Sequence, residues 1–356
     1  MPFFHPFRPR RIANHMEHPS WSAVAARFGR TLACTAWGLT IAIPCVCLAQ
    51  APAPAAKPPT EAPQKPAQPT VEELDLETTD GVQLRAWYYP ATLEEGDSPV
   101  ATVILLHDLE GSHKSVEPLA KGLQTAGCAV VTPDLRGHGE STGRGAGENL
   151  DVKLLKKSDF ERMAAARGGQ IRDQSAVRGD VEAVRNWIKQ KAEAKEIDMD
   201  RLFIVGSGLG AAVAAAWTTE DWNWPPTAKG PQGQQVRGLV LISPTWTTRG
   251  FSISPALAGE AVKQATPVMV IAGKNDRDAG KVFEQLKRQR PNGWYEQHPD
   301  RAGEKAPKLD DAAKASLFLF EFDSTRTADA LASDRTLNAA AVIGKFFTMA
   351  LDRPKK

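Results

Sequence analysis

The chain has 356 residues, 44 Lys and Arg against 42 Asp and Glu, with 42% hydrophobic and 24% charged residues. That balance suits a protein that buries a core, and it excludes an acidic tail protein and a general nucleic-acid binder. The charge is uneven: residues 1–50 hold five Arg against the single acid Glu17, a net +4, leaving 39 basic and 41 acidic residues in the remainder.

Arg27 and Arg30 precede an apolar run from Leu32 to Leu48, and Ala49-Gln50-Ala51 follows it. A basic flank, an apolar core and a small-x-small exit predict a secretory signal over 1–51. The run approaches the length of a short membrane span, so an uncleaved anchor is the alternative. The stretch before it is long for a signal, and Met16 is a second candidate start. The expected location is therefore exported: periplasm, cell envelope or outside the cell. Cys34, Cys45 and Cys47 lie in this segment, so the mature chain keeps only Cys128 and forms no internal disulfide. Residues 52–70 belong to a stretch with seven Pro in twenty, too Pro-rich to pack and read as an extended tether. The folded domain is expected over 71–356.

From Val71 onward, strands and helices alternate. Val71–Thr78 and Val82–Tyr89 flank Asp80-Gly81, a hairpin signal. Pro99–Leu106 is apolar without alternation, as in a strand buried on both faces. Val116–Thr125 has helical spacing, and Cys128–Thr132 is a further apolar run. Ala176–Ala194 places Val177, Val181, Val184, Trp187 and Ile188 on one helical stripe. Arg201–Val205 reads as a strand and Leu209–Trp217 as a helix of small residues. Val236–Ile242, Pro267–Ile271 and Leu317–Phe322 predict three more strands, with helices at Pro255–Gln264, Ala279–Arg288 and Leu337–Leu351. Residues 142–170 and 289–315 are polar and read as surface excursions. Buried runs separated by helices predict an α/β fold: a mostly parallel sheet covered on both faces, with an antiparallel N-terminal hairpin.

Six segments occur in a telling order: DGVQLRAWYYP (80–90), VILLHDLEGS (103–112), TPDLRGHGEST (132–142), RLFIVGSGLGAA (201–212), LVLISPTW (239–246) and PVMVIAGKND (267–276). Together they resemble the α/β-hydrolase fold family, in its serine esterase, acylglycerol lipase and serine aminopeptidase-like branch. The resemblance runs from about Val71 to Leu351 and leaves no insertion long enough for a large lid domain. It implies a nucleophile on a tight strand-to-helix turn, small-x-nucleophile-x-small. Gly206 and Gly210 supply the small flanks, which puts Gly208 at the nucleophile position, and glycine has no side chain to attack with. Ser207 as nucleophile would have bulky flanks, Val205 and Leu209.

The resemblance also places an acid at Asp276, after the strand Pro267–Ile271, which without a histidine partner is free to cap the next helix. The base position falls near Thr327, and no histidine lies beyond His298. His298 follows Asp276 by 22 residues and is the alternative base if Trp294–Gln297 is the last strand. His107 and His138 match turn-closing positions, and His113 reads as exposed. The oxyanion-hole donors implied are the backbone N–H groups of Leu209 and Leu109. Asp108 stands where the family has glycine, and its carboxylate would repel developing negative charge.

The expectation is an exported, catalytically inactive family member that binds a ligand or a partner protein. The alternative is an active serine hydrolase using Ser207, Asp276 and His298. A third reading takes Gly206-x-Gly208-x-x-Ala211 as a dinucleotide fingerprint, but the next strand ends in Ser243-Pro244 rather than an acid. No metal-ligand spacing appears, so no metal or cofactor is expected. Trp217, Trp222 and Trp224 read as an aromatic patch, either core cover or a partner or glycan surface.

Overall fold

A computed structural model of the chain describes residues 69–93, 98–166, 179–225, 228, 232–291, 293–299 and 315–353. The expected signal or anchor over 1–51 and nearly all of the 52–70 linker lie outside the described residues. So do 176–178, at the start of the long predicted helix.

The strands are β1 (Glu72–Glu77), β2 (Gln83–Tyr89), β3 (Ala101–Leu106), β4 (Cys128–Pro133), the short β5 (Gly143–Arg144) and β6 (Glu148–Asn149), β7 (Leu202–Ser207), β8 (Val236–Ile242), the short β9 (Thr247–Thr248) and β10 (Phe251–Ser252), β11 (Val268–Ala272), β12 (Trp294–Gln297) and β13 (Leu317–Glu321). The helices are α1 (His113–Thr125), α2 (Lys157–Met163), α3 (Asp180–Glu193), α4 (Leu209–Trp222), α5 (Ser254–Ala258), α6 (Arg277–Gln289), α7 (Ala328–Ala332) and α8 (Ala339–Leu351).

Nine strands form one sheet in the order β1-β2-β4-β3-β7-β8-β11-β13-β12. β1, β2 and β4 pair antiparallel, and every other neighbour pair in this sheet is parallel. Alternation along each buried strand sends side chains to two cores. Ile104, Leu106 and Ile204 pack with Val181, Val213, Trp217 and Phe283 from α3, α4 and α6. Val103, Leu105, Phe203 and Val205 pack with Val116, Leu123, Phe346 and Phe347 from α1 and α8. Both faces are thus dry, which is why these strands read as unbroken apolar runs. No helix among the described residues is long and apolar enough to cross a membrane.

Four local expectations are corrected. The stretch read as an excursion over 142–170 contains α2, which buries Phe160 and Met163. The excursion over 289–315 contains β12, which pairs with β13 at the sheet edge. The helix expected over Pro255–Gln264 ends at Ala258, and a single wide turn, Ala261–Ala265, follows it. His113 is buried rather than exposed: its ring stacks on Trp87 at 3.2 Å between centroids, and Nδ1 lies 3.0 Å from the Asp134 carboxylate. Of the tryptophan patch, Trp217 is fully buried and Trp224 nearly so, with Trp222 packed against the same core.

Candidate functional site

The strand ends β3, β7, β8, β11 and β13 carry every residue singled out for the site except His298. The sharpest of these ends is the turn from β7 into α4. Gly208 adopts φ 52° and ψ −114°, between the last residue of β7 and the first of α4. A Cβ on Gly206 would lie 2.3 Å from the Gly210 carbonyl oxygen, and one on Gly210 would lie 2.4 Å from the His107 carbonyl oxygen. Both flanks must therefore be glycine, and Gly208 occupies the apex. Its N–H donates to the Ile242 carbonyl at 3.0 Å, and its carbonyl accepts from the Thr245 N–H at 3.2 Å.

The space above the apex is filled. A Cβ on Gly208 would sit 1.9 Å from Oδ1 of Asp108 and 2.1 Å from its Cγ. That same Oδ1 accepts a hydrogen bond from the Leu209 N–H at 2.7 Å. The Leu109 N–H also stabilises the ionised Asp108 carboxylate. The two backbone donors expected to form an oxyanion hole are thus turned on a carboxylate of the chain itself. Burial pushes the Asp108 carboxyl above the usual range, the two N–H donors oppose that shift, and the nearby Asp329 charge adds to it.

Asp329, in the first turn of α7, holds Asp108 in place. Its Oδ1 accepts from the Asp108 N–H at 3.0 Å, and its Oδ2 accepts from the Ser115 hydroxyl at 2.5 Å. The Ser333 hydroxyl in turn donates to the Ser115 carbonyl. Two hydrogen bonds orient the His107 ring: Nε2 faces the Leu135 N–H at 3.0 Å, and Nδ1 faces the Asp108 carbonyl at 2.6 Å. Neither Asp329 nor Ser115 was singled out from sequence. The available signal was an acid in the first turn of the helix after β13, one residue type among many that cap helices.

Asp276 caps α6, accepting the Ala279 N–H at 3.0 Å, and its other oxygen is buried without a hydrogen bond among the described residues. The loop that carries it meets the loop after β13: the Lys274 N–H donates to the Ser324 carbonyl at 2.7 Å. Thr327, at the expected base position, is exposed and precedes α7 as its cap residue. The acid and base loops therefore still adjoin, but the second holds no imidazole.

The structure does not assemble the alternative triad. Ser207 is fully buried, and its hydroxyl has no hydrogen-bond partner among the described residues. His298 follows β12, four strands from β7 in the sheet, which is roughly 19 Å at the usual spacing of neighbouring strands. Both its ring nitrogens face carboxylates, Nδ1 at 3.1 Å from Glu321 and Nε2 at 3.2 Å from Glu296. Nor does the turn suit a pyrophosphate, since Asp108 already takes the Leu209 N–H. Among the described residues no group of three His, Cys, Asp or Glu side chains is arranged to hold a metal.

A family model described as "Hydrolase_4: Serine aminopeptidase, S33" matches residues 97–279. The chain is similar to the uncharacterized protein Rv2307c of Mycobacterium tuberculosis (strain ATCC 25618 / H37Rv), 25% identical over 212 residues, which is 58% of this chain and 63% of that one. The chain therefore spans less than two thirds of that relative's length. Among solved structures it is similar to the Pyrococcus furiosus esterase Pf2001, with a TM-score of 0.47 and 16% identity over 78% of this chain and 90% of that one. It is also similar to a soluble variant of monoglyceride lipase from Saccharomyces cerevisiae, with a TM-score of 0.48 and 14% identity over 82% of this chain and 99% of that one.

Proposed function

From the premise that the chain belongs to the serine aminopeptidase S33 family of α/β-hydrolases, we propose that it is a member without covalent catalysis, exported and tethered, that acts by binding a small molecule or a protein. One observation carries this reading. The apex of the elbow is Gly208, and the Asp108 carboxylate occupies the volume in which a nucleophile's side chain would stand. The covalent route needs an attacking atom, a base to take its proton, and free donors for the oxyanion. Here the attacking atom is missing, the base position is Thr327, and the Leu209 donor is already engaged. Losing the nucleophile alone costs about as much as losing the whole triad, and the rate that survives comes from oxyanion donors and binding. Export rests on the basic flank, apolar core and small exit residues of 1–51.

The test is a fluorophosphonate probe, which phosphonylates an activated serine. The full-length chain is expected to stay unlabelled at neutral pH. Labelling that disappears in Ser207→Ala would overturn the proposal in favour of a serine hydrolase. For export, the mature chain recovered from the cell envelope should begin near residue 52, and an intact Met1 or Met16 terminus on a cytoplasmic pool would contradict it.

A further inference from the structure

Among the described residues, β12 is the outermost strand at its end of the sheet, and it pairs with β13 over four positions. Apolar burial contributes little to that docking. Trp294 is exposed, the other three residues are half-buried, and Tyr295 meets the Phe318 ring at 6.3 Å between centroids. On so short an edge strand, the polar side-chain contacts decide how firmly it is held.

Those contacts converge on two carboxylates. Glu296, inside β12, accepts from the Lys287 ammonium of α6, which also lies over the Trp294 ring at 3.9 Å. His298, just past the strand, sits between Glu296 and Glu321, the last residue of β13. Its Nε2 is 3.2 Å from the first carboxylate and its Nδ1 3.1 Å from the second. The ring thus bridges the end of one strand to the end of the other. An ionised carboxylate accepts hydrogen bonds and donates none. Both contacts are therefore hydrogen bonds only when both ring nitrogens carry protons and the ring is an imidazolium. A neutral ring turns a bare lone pair on one carboxylate, and that contact becomes repulsive. Burial raises the Glu296 carboxyl, but the hydrogen bonds from Lys287 and His298 outweigh it and hold it below the usual range, so this acceptor stays ionised in mild acid. The ring side chain is 19% exposed, shielded enough for two charged contacts to count and open enough to trade its proton with solvent. Among the described residues, the charged groups around it are Glu296 of β12, Glu321 of β13, and Lys287 of α6 behind Glu296, with Glu284 of α6 at 3.7 Å from that ammonium.

We propose that His298 is a proton-operated clip: its charged ring docks β12 onto β13, and loss of the proton loosens the strand from the sheet edge. The contribution is present while the ring is charged and is lost as pH rises through the range in which imidazoles titrate, about 5 to 8. Release makes β13 the edge of the sheet and bares its outer backbone donors and acceptors. The clip goes beyond the reading of the chain as a binding protein and owes nothing to Gly208. Fluorophosphonate labelling would overturn that reading and leave the clip untouched.

The experiment measures amide hydrogen exchange on the full-length chain at about pH 5.5 and about pH 8, corrected for the intrinsic rates, with β3 as the reference strand. The amides of β12 are expected to exchange about tenfold faster, relative to β3, at the higher pH. His298→Gln should remove this difference and hold β12 at the faster rate. His298→Arg, charged at both pH values and forked enough to reach two carboxylates, should hold it at the slower rate throughout. The direction separates the clip from His138, which burial lowers to about 4, so that acid weakens the whole fold. The proposal is overturned if β12 exchanges alike at both pH values or faster at the lower one, or if either variant keeps the wild-type response. His298 lies beyond the strand and reaches solvent, so both variants are expected to fold.

Discussion

Asp108 and Gly208 divide one volume between them: Oδ1 of the first lies 1.9 Å from where a Cβ of the second would be. A side chain at residue 208 and a carboxylate at residue 108 cannot coexist in this arrangement, and each explains the other. Without a side chain on Gly208, the Leu209 N–H would open on an empty polar hollow, and Asp108 closes it with a charge-assisted hydrogen bond.

Gly208→Ser should therefore destabilise the chain by about 2–4 kcal/mol, combining positive-φ strain with overlap against Asp108. Asp108→Gly should also destabilise, by leaving the Leu209 N–H without its partner. The double variant should be less destabilised than the sum of the two, with a coupling of about 1–3 kcal/mol in urea denaturation. Strict additivity would mean that the two residues do not share space.

The Arg136 guanidinium is almost fully buried between two carboxylates, bonding Asp180 at 2.6 Å and Asp80 at 2.8 Å. The flanking acids raise its pKa and keep it charged. Its backbone N–H also donates to Asp180, at 2.8 Å, so the loop after β4 is tied to the first turn of α3. Asp180→Ala leaves Arg136 with Asp80 as its one described counter-charge and its backbone N–H without an acceptor, and should cost about 3 kcal/mol in denaturant unfolding. An effect below about 1 kcal/mol would show that water replaces the carboxylate.

Arg290 is buried with no carboxylate among its described contacts. Its guanidinium donates to the carbonyls of Lys263 at 2.8 Å, Ser316 at 2.6 Å, Val262 at 2.7 Å and Thr266 at 2.9 Å. It thereby stitches the wide turn before β11 to the start of β13. Arg290→Met preserves the stem but takes the guanidinium donors from the Lys263, Val262 and Thr266 carbonyls, while the Ser316 carbonyl keeps the Val268 N–H, and a loss of about 3 kcal/mol is expected. Arg290→Lys should recover only part of this, because an ammonium cannot present the planar fork. Equal melting temperatures for the wild type and Arg290→Met would refute the assignment.

Burial, reinforced by the neighbouring His107, lowers the His138 pKa to about 4. The unfolded chain binds this proton near pH 6.5 and the folded chain only near pH 4, so the unfolded state holds more protons in between. Stability should therefore fall as pH drops through that window, by about 1.4 kcal/mol per unit for one group. Asp108 acts with the opposite sign. Its raised pKa means that the folded state holds the extra proton, so its contribution is present at low pH and is lost as pH rises through the folded value. Urea midpoints measured between pH 4 and 7 should show a shallower slope for His138→Asn and a steeper one for Asp108→Asn. Unchanged slopes in both would rule out these titrations.

Much of the fold could be read from particular runs of residues. Val103, Ile104, Leu105 and Leu106 have no polar face because both sides of β3 are covered, and Asp80-Gly81 announces the hairpin between β1 and β2. Other parts had no local signal. Trp294–Gln297 is short, with Trp294 exposed and the other three residues half-buried, and becomes a strand only because β13 offers an edge to pair with. His113 stands among polar neighbours in sequence, and its burial depends on Trp87 and Asp134 arriving from other strands.

The elbow divides along the same line. Glycine at 206, 208 and 210 alone determines the register of the turn, since backbone sterics act over a few residues and nothing distant can relieve them. What fills the turn was decided by the sheet. Asp108 meets Leu209 across 101 positions of chain and Asp329 across 221, distances over which a sequence carries no geometry. Only the parallel packing of β3 against β7, with α7 folded back over their ends, brings a carboxylate to the place where the chain has left a side chain out.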